Sequence, residues 1–362
     1  MVDGSFDAAV AGCTHVFHTA TPFTSKLRPG QCAEALQRPA LDGLRNVLSA
    51  VERAGSVRRV VLTSSVAAVL STFLDHPDGA AHVYGPGDWN ETDRISHGGF
   101  AAYSAAKAMQ EREAWRLAEG KPWDLVTINP CLGERDRRAL PRGPTPAPPR
   151  PRPTPAPAPP RVPAVVGPSV TRRQDSETIE ILQQLLGGGS PAAPPLLLAT
   201  VDVRNVAAAH SIAAFDPACS GRYICANDSI PMVDQTRAVK KAFPHSRAPT
   251  RELPRWCAPP PPPGPRPRPR RPLPRHRGPG PPPPRRLLAI LGPLMFGMPR
   301  SFLRGYSTAL GVGRFDRSRI NADMGAESWW IGRDRSLGDH LTWMARNGWV
   351  ADGAVAPAEA SG

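Results

Sequence analysis

No two cysteines of this chain stand at C-x-x-C spacing. None of the six (Cys13, Cys32, Cys131, Cys219, Cys225, Cys257) has a histidine at the separation that metal sites use. That excludes the zinc-ribbon and zinc-finger classes and implies free thiols in a reducing compartment. Long apolar runs are missing too. The best candidate, residues 287–298, is interrupted by Pro293 and is shorter than the ~18 residues of a membrane span. With no signal-peptide pattern at its start, the sequence reads as a soluble, cytoplasmic protein without membrane contact. It contains no internal repeat.

Proline, by contrast, is abundant: 46 residues of 362. Twelve prolines crowd into residues 133–164 and fifteen into residues 258–286. These windows lack the apolar side chains that offset ordering entropy, so they read as disordered inserts. They also hold the charge. The first carries +5 and the second +8 of a formal +14, which leaves the rest near neutral. The basic balance therefore does not point to a specific nucleic-acid partner.

Outside the tracts, strand and helix patterns alternate. Residues 14–18 are short, apolar and β-prone, with Pro22 beyond them. Residues 33–54 have Leu41, Leu44, Val47, Leu48 and Val51 at helical spacing. Residues 59–63 and 124–128 are continuous apolar strands, and residues 102–119 form a helix closed by Gly120 and Pro122. Further helices are expected at 175–186, 203–215 and 337–346, with strands at 196–201 and 222–225 and an apolar stretch at 287–306. This alternation implies an α/β fold, a doubly wound parallel sheet with crossover helices.

Tyr103 and Lys107 lie four residues apart on the 102–119 helix, one turn from each other on one face. A nearby ammonium favours phenolate, so Lys107 is expected to lower the tyrosine pKa. Such a phenol can protonate a carbonyl oxygen as hydride reaches its carbon. Thr63-Ser64-Ser65 ends a buried strand, at the edge where open α/β sheets bind ligands. His18, His210 and the Trp329-Trp330 pair are read as packing or hydrogen-bonding groups.

Several segments together resemble one family. Gly12-Cys13-Thr14-His15-Val16-Phe17-His18-Thr19-Ala20-Thr21-Pro22 is similar to the fourth-strand motif of dihydroflavonol 4-reductase-like members of the extended short-chain dehydrogenase/reductases. Arg58 to Ser65 resembles their fifth strand. Tyr103 to Lys107, with Glu111 and Trp115, resembles their catalytic helix, and Asn129-Pro130 marks the strand after it. Residues 201–210, Gly221-Arg222-Tyr223 and residues 316–320 with Gly325 resemble later landmarks.

The resemblance implies an NAD(P)H-dependent oxidoreductase that reduces a small-molecule ketone or aldehyde to an alcohol. Tyr103 would be the general acid/base. Lys107 would lower its pKa and bind the nicotinamide ribose, and Ser65 would polarise the carbonyl. Thr19, Ala20 and Thr63 would lie along the cofactor, with Pro130, Cys131 and Leu132 near the nicotinamide. NADP is favoured over NAD. A nucleotide-sugar epimerase or 3β-hydroxysteroid dehydrogenase shares the same triad. The cinnamoyl-CoA reductase subgroup is disfavoured, because Phe100-Ala101-Ala102 stands where it has an Asn-Trp pair.

The family's opening Gly-rich turn, which seats the pyrophosphate at a helix N-terminus, has no counterpart here. The expectation is a partial Rossmann-type sheet lacking its first strands, with a smaller C-terminal substrate region. Residues 1–132 would form the truncated NAD(P)-binding domain, and 165–257 the rest of the sheet with part of the substrate region. Residues 287–362 would complete that region, and 133–164 and 258–286 would be the inserts. The first insert splits a family motif between Leu132 and Val165. Both read as intron-like sequence carried into the message, or as genuine polyproline insertions, which bind partner domains or, more often, serve as flexible linkers. An exposed sheet edge and weak or absent turnover follow from this organisation. A catalytically dead protein with interaction tracts is the competing reading.

Overall fold

The structure, a computed structural model, describes residues 2–22, 30–70, 82–91, 99–130, 161–166, 192–193, 197–227, 230–242, 244–252 and 314–348. Its centre is a four-stranded, all-parallel sheet of β1 (His15–His18), β2 (Arg59–Thr63), β4 (Asp124–Pro130) and β7 (Gly221–Cys225), in that order. β3 is Val83–Tyr84, and it pairs in parallel with β9 (Arg314–Phe315). Within the main sheet Val60 stands opposite Val16 and Leu125, and Leu62 opposite His18 and Thr127. β2 and β4 are covered on both faces, which is why they read as unbroken apolar runs.

After the short α1 (Asp7–Val10), two longer helices cover one face. α2 (Arg38–Ala54) follows a π-helical turn, Ala33–Gln37, and α3 spans Gly99–Ala118. Leu44, Leu48 and Val51 of α2 pack with Val60, Leu62, Ala114, Trp123 and Leu125. The single helix expected over 33–54 is thus two. Pro39 is the physical reason: it brings no N–H, and its ring crowds the carbonyl four residues earlier, so the ladder widens before α2. α2 stops at Gly55, whose φ of 64° and N–H to the Val51 carbonyl make a left-handed cap.

The other face is covered by α4 (Val203–Phe215), capped by the Asp202 carboxylate on the Arg204 N–H at 2.8 Å. Ala209, Ala213 and Ala214 pack there against Val61, Val126, Ile128 and Tyr223. Trp329 and Trp330 pack on the same cluster. Their indole N–H groups donate to the Met324 carbonyl at 2.9 Å and to Asn227 Oδ1 at 2.7 Å.

Of the segment expected to complete the main sheet, β7 joins it. β5 (Arg161–Val166), β6 (Leu197–Asp202) and β8 (Ile230–Pro231) build a second, three-stranded sheet. β5–β6 is parallel and β6–β8 antiparallel, so this sheet is mixed. The last described helix, Arg333–Arg346, begins four residues before its expected start. The helix expected at 175–186, the stretch at 287–306, the second tract and most of the first lie outside the described residues. No helix among the described residues is long and apolar enough to cross a membrane.

Candidate active site

All four strands of the main sheet run the same way, so their carboxyl ends form one edge. In open α/β sheets that edge is where ligands bind. Ser65 sits just past β2 there. Its Oγ accepts the Ala67 N–H at 3.1 Å, capping a 3₁₀ turn over Val66–Ala68. This fixes the side-chain rotamer and leaves the hydroxyl proton to be donated elsewhere.

Tyr103 lies in the first half of α3, packed among Cys32, Leu36, Ala102 and Ala106. Burial pushes its phenol up to about 12, and a hydrogen bond with Ser65 pulls in the opposite direction. Lys107, one turn on, is buried, and its amine donates to Thr21 Oγ1 and to the Thr63 carbonyl, each at 3.0 Å. Burial brings that amine down to about 8, partly offset by the charge of Glu111.

This corrects one expectation. Lys107 was to hold the phenol below its ordinary value, yet the phenol sits above it, because desolvation of Tyr103 dominates and its hydrogen-bonding partner is Ser65. The ammonium spends its contacts on Thr21 and Thr63.

The remaining sequence-predicted residues fall into three groups. Thr63 is in the constellation: its carbonyl takes Lys107, and its hydroxyl meets His210 Nε2 at 2.7 Å. His210 Nδ1 faces the Val206 carbonyl at 2.7 Å, and a carbonyl only accepts. Nδ1 therefore carries the proton, and the Thr63 hydroxyl donates to Nε2. Burial, against the opposing Val206 hydrogen bond, lowers the His210 pKa and keeps the ring neutral. Thr19 and Ala20 follow β1 at the same edge and are exposed. Pro130 ends β4, paired with Cys225 of β7. Cys131 and Leu132 lie outside the described residues. His18 is buried at the tip of β1.

Sequence reasoning passed over the groups beneath the site. Thr21 links Lys107 to Gln110 Oε1, 3.0 Å away. Glu111 is buried and accepts from Ser64, Thr127, Asn129 and Arg222. Burial raises the Glu111 carboxyl, but the hydrogen bonds and charge of Arg222, with Ser64 and Asn129, outweigh it and hold it below its usual range. The signal available was Glu111 itself, one turn beyond Lys107 on the same helical face.

Chemically, the edge joins a hydrogen-bonded Ser–Tyr pair and a buried amine of depressed basicity. Among the described residues no His/Cys/Asp/Glu group could hold a metal ion.

No family model matches the chain. An anthocyanidin reductase ((2S)-flavan-3-ol-forming) of Vitis vinifera is 30% identical over 256 residues, covering 68% of this chain and 64% of that protein. Cinnamoyl-CoA reductase 1 of Petunia hybrida is 32% identical over 247 residues, covering 68% and 61%. The chain thus spans just under two thirds of the length of these curated relatives. Among solved structures, yeast methylglyoxal/isovaleraldehyde reductase Gre2 complexed with NADPH superimposes with a TM-score of 0.61 at 18% identity, covering 95% of this chain and 82% of that one. Vestitone reductase from alfalfa (Medicago sativa L.) gives 0.57 at 16%, covering 96% and 80%. These structural matches establish the Rossmann-type fold. Taken with the sequence matches and the order of the motifs, they show that the chain belongs to the extended short-chain dehydrogenase/reductase family, in its dihydroflavonol 4-reductase-like branch.

Proposed function

We propose that this protein is an NAD(P)H-dependent oxidoreductase that reduces a small-molecule ketone or aldehyde to an alcohol. The observation that carries the reading is the hydrogen bond between Tyr103 and Ser65 at the carboxyl edge of the parallel sheet, with the Lys107 amine on the Thr63 carbonyl beside it. NADP is preferred over NAD because the yeast relative of similar fold is complexed with NADPH.

The residues at this edge fit the nicotinamide half of such a cofactor. The exposed Thr19 and Ala20 offer a surface at the tip of β1, and the Lys107 amine offers a donor for ribose hydroxyls. When bound, the cofactor supplies the hydride. Ser65 would then donate a hydrogen bond to the substrate oxygen, keeping its proton, and draw charge from the carbonyl carbon. Tyr103, neutral over the whole physiological range, delivers its proton to that oxygen as negative charge builds there. The Thr63 carbonyl and Thr21 hydroxyl hold the Lys107 amine still.

We place the protein in a reducing, cytoplasmic setting, supported by the free thiols of Cys13, Cys32, Cys219 and Cys225. The test is NADPH consumption by the purified 362-residue protein with a panel of aldehydes and ketones. Slow, carbonyl-dependent oxidation is expected, falling at least about a hundredfold in Tyr103→Phe at unchanged folding. Turnover that survives this substitution overturns the reading.

A further inference from the structure

The buried charge pair behind the site takes no part in the proton transfer just described. Glu111 lies two turns from Tyr103 and one from Lys107 on the same face of α3. Its Oε1 accepts from Arg222 Nε at 2.8 Å and Thr127 Oγ1 at 2.9 Å. Its Oε2 accepts from Ser64 Oγ at 2.6 Å, Asn129 Nδ2 at 2.9 Å and Arg222 at 3.3 Å. Asn129 Nδ2 also donates to the Ser65 carbonyl at 3.1 Å. The carboxylate thus reaches Ser65 from two sides, through the neighbouring Ser64 and through Asn129.

Arg222 extends the connection outward from β7. Its remaining nitrogen donates to the Pro86 and Asp88 carbonyls at 2.6 and 2.7 Å, and its guanidinium lies 3.7 Å from the Trp89 ring centre. The 82–91 segment is tied down again at Asn90. Its side chain donates to the Ala67 carbonyl at 3.0 Å and its backbone N–H to the Ala68 carbonyl at 2.8 Å. Those carbonyls belong to the turn that Ser65 caps. One ion pair therefore joins the helix of Tyr103, the tips of β2 and β4, and the segment lying over the Ser65 turn.

Buried ion pairs are poor stabilisers: well-packed apolar residues of similar volume do as well or better. The charge here is accounted for by orientation instead. We propose that Glu111 and Arg222 are a positioning pair, which holds Ser65 in hydrogen-bonding register with Tyr103 by fixing Ser64, Asn129 and the 82–91 segment. The proposal rests on the carbonyl-reductase reading for its consequence in turnover, and on geometry alone for its consequence at Tyr103.

The experiment compares Glu111→Gln with the double variant Glu111→Gln/Arg222→Met, which leaves no unpaired buried cation if the single variant folds poorly. Tyrosine labelled with ¹³C at the ζ carbon gives four signals, that of Tyr103 being the one lost in Tyr103→Phe. In both variants this signal is expected to move toward its position in Ser65→Ala. Per folded molecule, kcat for carbonyl reduction falls at least about tenfold while the carbonyl KM stays within about twofold. Glu113→Gln, which alters a charge that Arg45 of α2 and Arg116 of α3 pair away from the Glu111 network, moves neither readout. A Tyr103 signal left in place in the folded variants overturns the proposal whatever the activity does, because a purely structural pair lowers stability without touching that signal. If the signal moves but the wild-type protein reduces no carbonyl, the positioning role is supported and only the proposed activity falls.

Discussion

At the carboxyl edge of the sheet, the tips of β2 and β4 and the tip of β1 end in opposite ways. Ser64, Ser65 and Asn129 are buried, and each side chain has a hydrogen-bond partner. Thr19 and Ala20, beyond β1, are exposed, and within the described residues β1 pairs with β2 alone. Phe17 on β1 is 43% exposed, and Phe215, whose ring centre lies 4.8 Å from that of His15 of that strand, is 67% exposed. On the proton-handling side Ser64, Ser65, Asn129 and Glu111 are held by hydrogen bonds to one another and to the backbone. The side expected to meet the cofactor presents side chains to solvent. Substitutions should therefore be costly on one side and cheap on the other.

The largest effect is expected at Arg222→Ala. Removing one member of a buried pair leaves the other charge uncompensated, a loss of about 3–5 kcal/mol. Here it also frees the Pro86 and Asp88 carbonyls and uncovers Trp89. Urea unfolding would show it as a lower midpoint, and a loss under about 1 kcal/mol would mean that this side is no more rigid than the other.

How much of this was legible beforehand differs residue by residue. β2 and α4 were readable to the residue, one as an unbroken apolar run between Arg58 and Ser64, the other as the helix expected over 203–215. Tyr103 and Lys107 were readable because helical spacing alone puts them together. The division of labour between the two serines is a matter of alternation past a strand: Ser64 turns to Glu111 and Ser65 toward Tyr103. Arg222 is 111 positions from Glu111, and no local pattern foretells such a partner. The second sheet was hidden because β5 begins inside a tract read as a disordered insert and β8 is two residues long, so no local pattern marks either as a strand. The direction of the Tyr103 shift was missed because spacing reveals a neighbouring charge and says nothing of burial.

Next in size is the contrast between adjacent serines. Ser65→Ala removes the donor aimed at the substrate oxygen, and loss of one such donor lowers kcat about a hundredfold. Ser64→Ala removes one of several donors to Glu111, so it should appear mainly in stability, at about 1 kcal/mol. Steady-state kinetics beside urea unfolding of both variants would distinguish them. Equal effects on turnover would merge the roles that the geometry separates.

Comparable in energy, but spread over a pH range, is the linkage of Lys107. Its amine titrates near 8 when folded and near 10.5 when unfolded, so between these values the unfolded chain binds the extra proton. Stability therefore rises with pH across that window, by about 3 kcal/mol at most from a shift of this size. Tyr103 acts with the opposite sign: raised from 10 to about 12, it contributes stability that is lost as pH climbs through that interval. Urea midpoints from pH 7 to 11 should pass through a maximum near pH 10. In Lys107→Met the rising limb should flatten, and in Tyr103→Phe the fall should. A rising limb unchanged in Lys107→Met would show that the amine is not desolvated as its contacts imply.

The smallest effect belongs to the open side. Phe215 ends α4 with most of its surface in solvent, and among the described residues its ring lies against the partly exposed His15. Truncating it removes little buried area, so Phe215→Ala should change stability by no more than about 0.5 kcal/mol. The same substitution inside the Glu111 network would be felt several times over. A loss above about 2 kcal/mol on urea unfolding would show that the Phe215 ring is covered in solution. The β1 edge would then be an interface rather than a free surface, and the contrast between the two sides would have to be redrawn with β1 on the buried side.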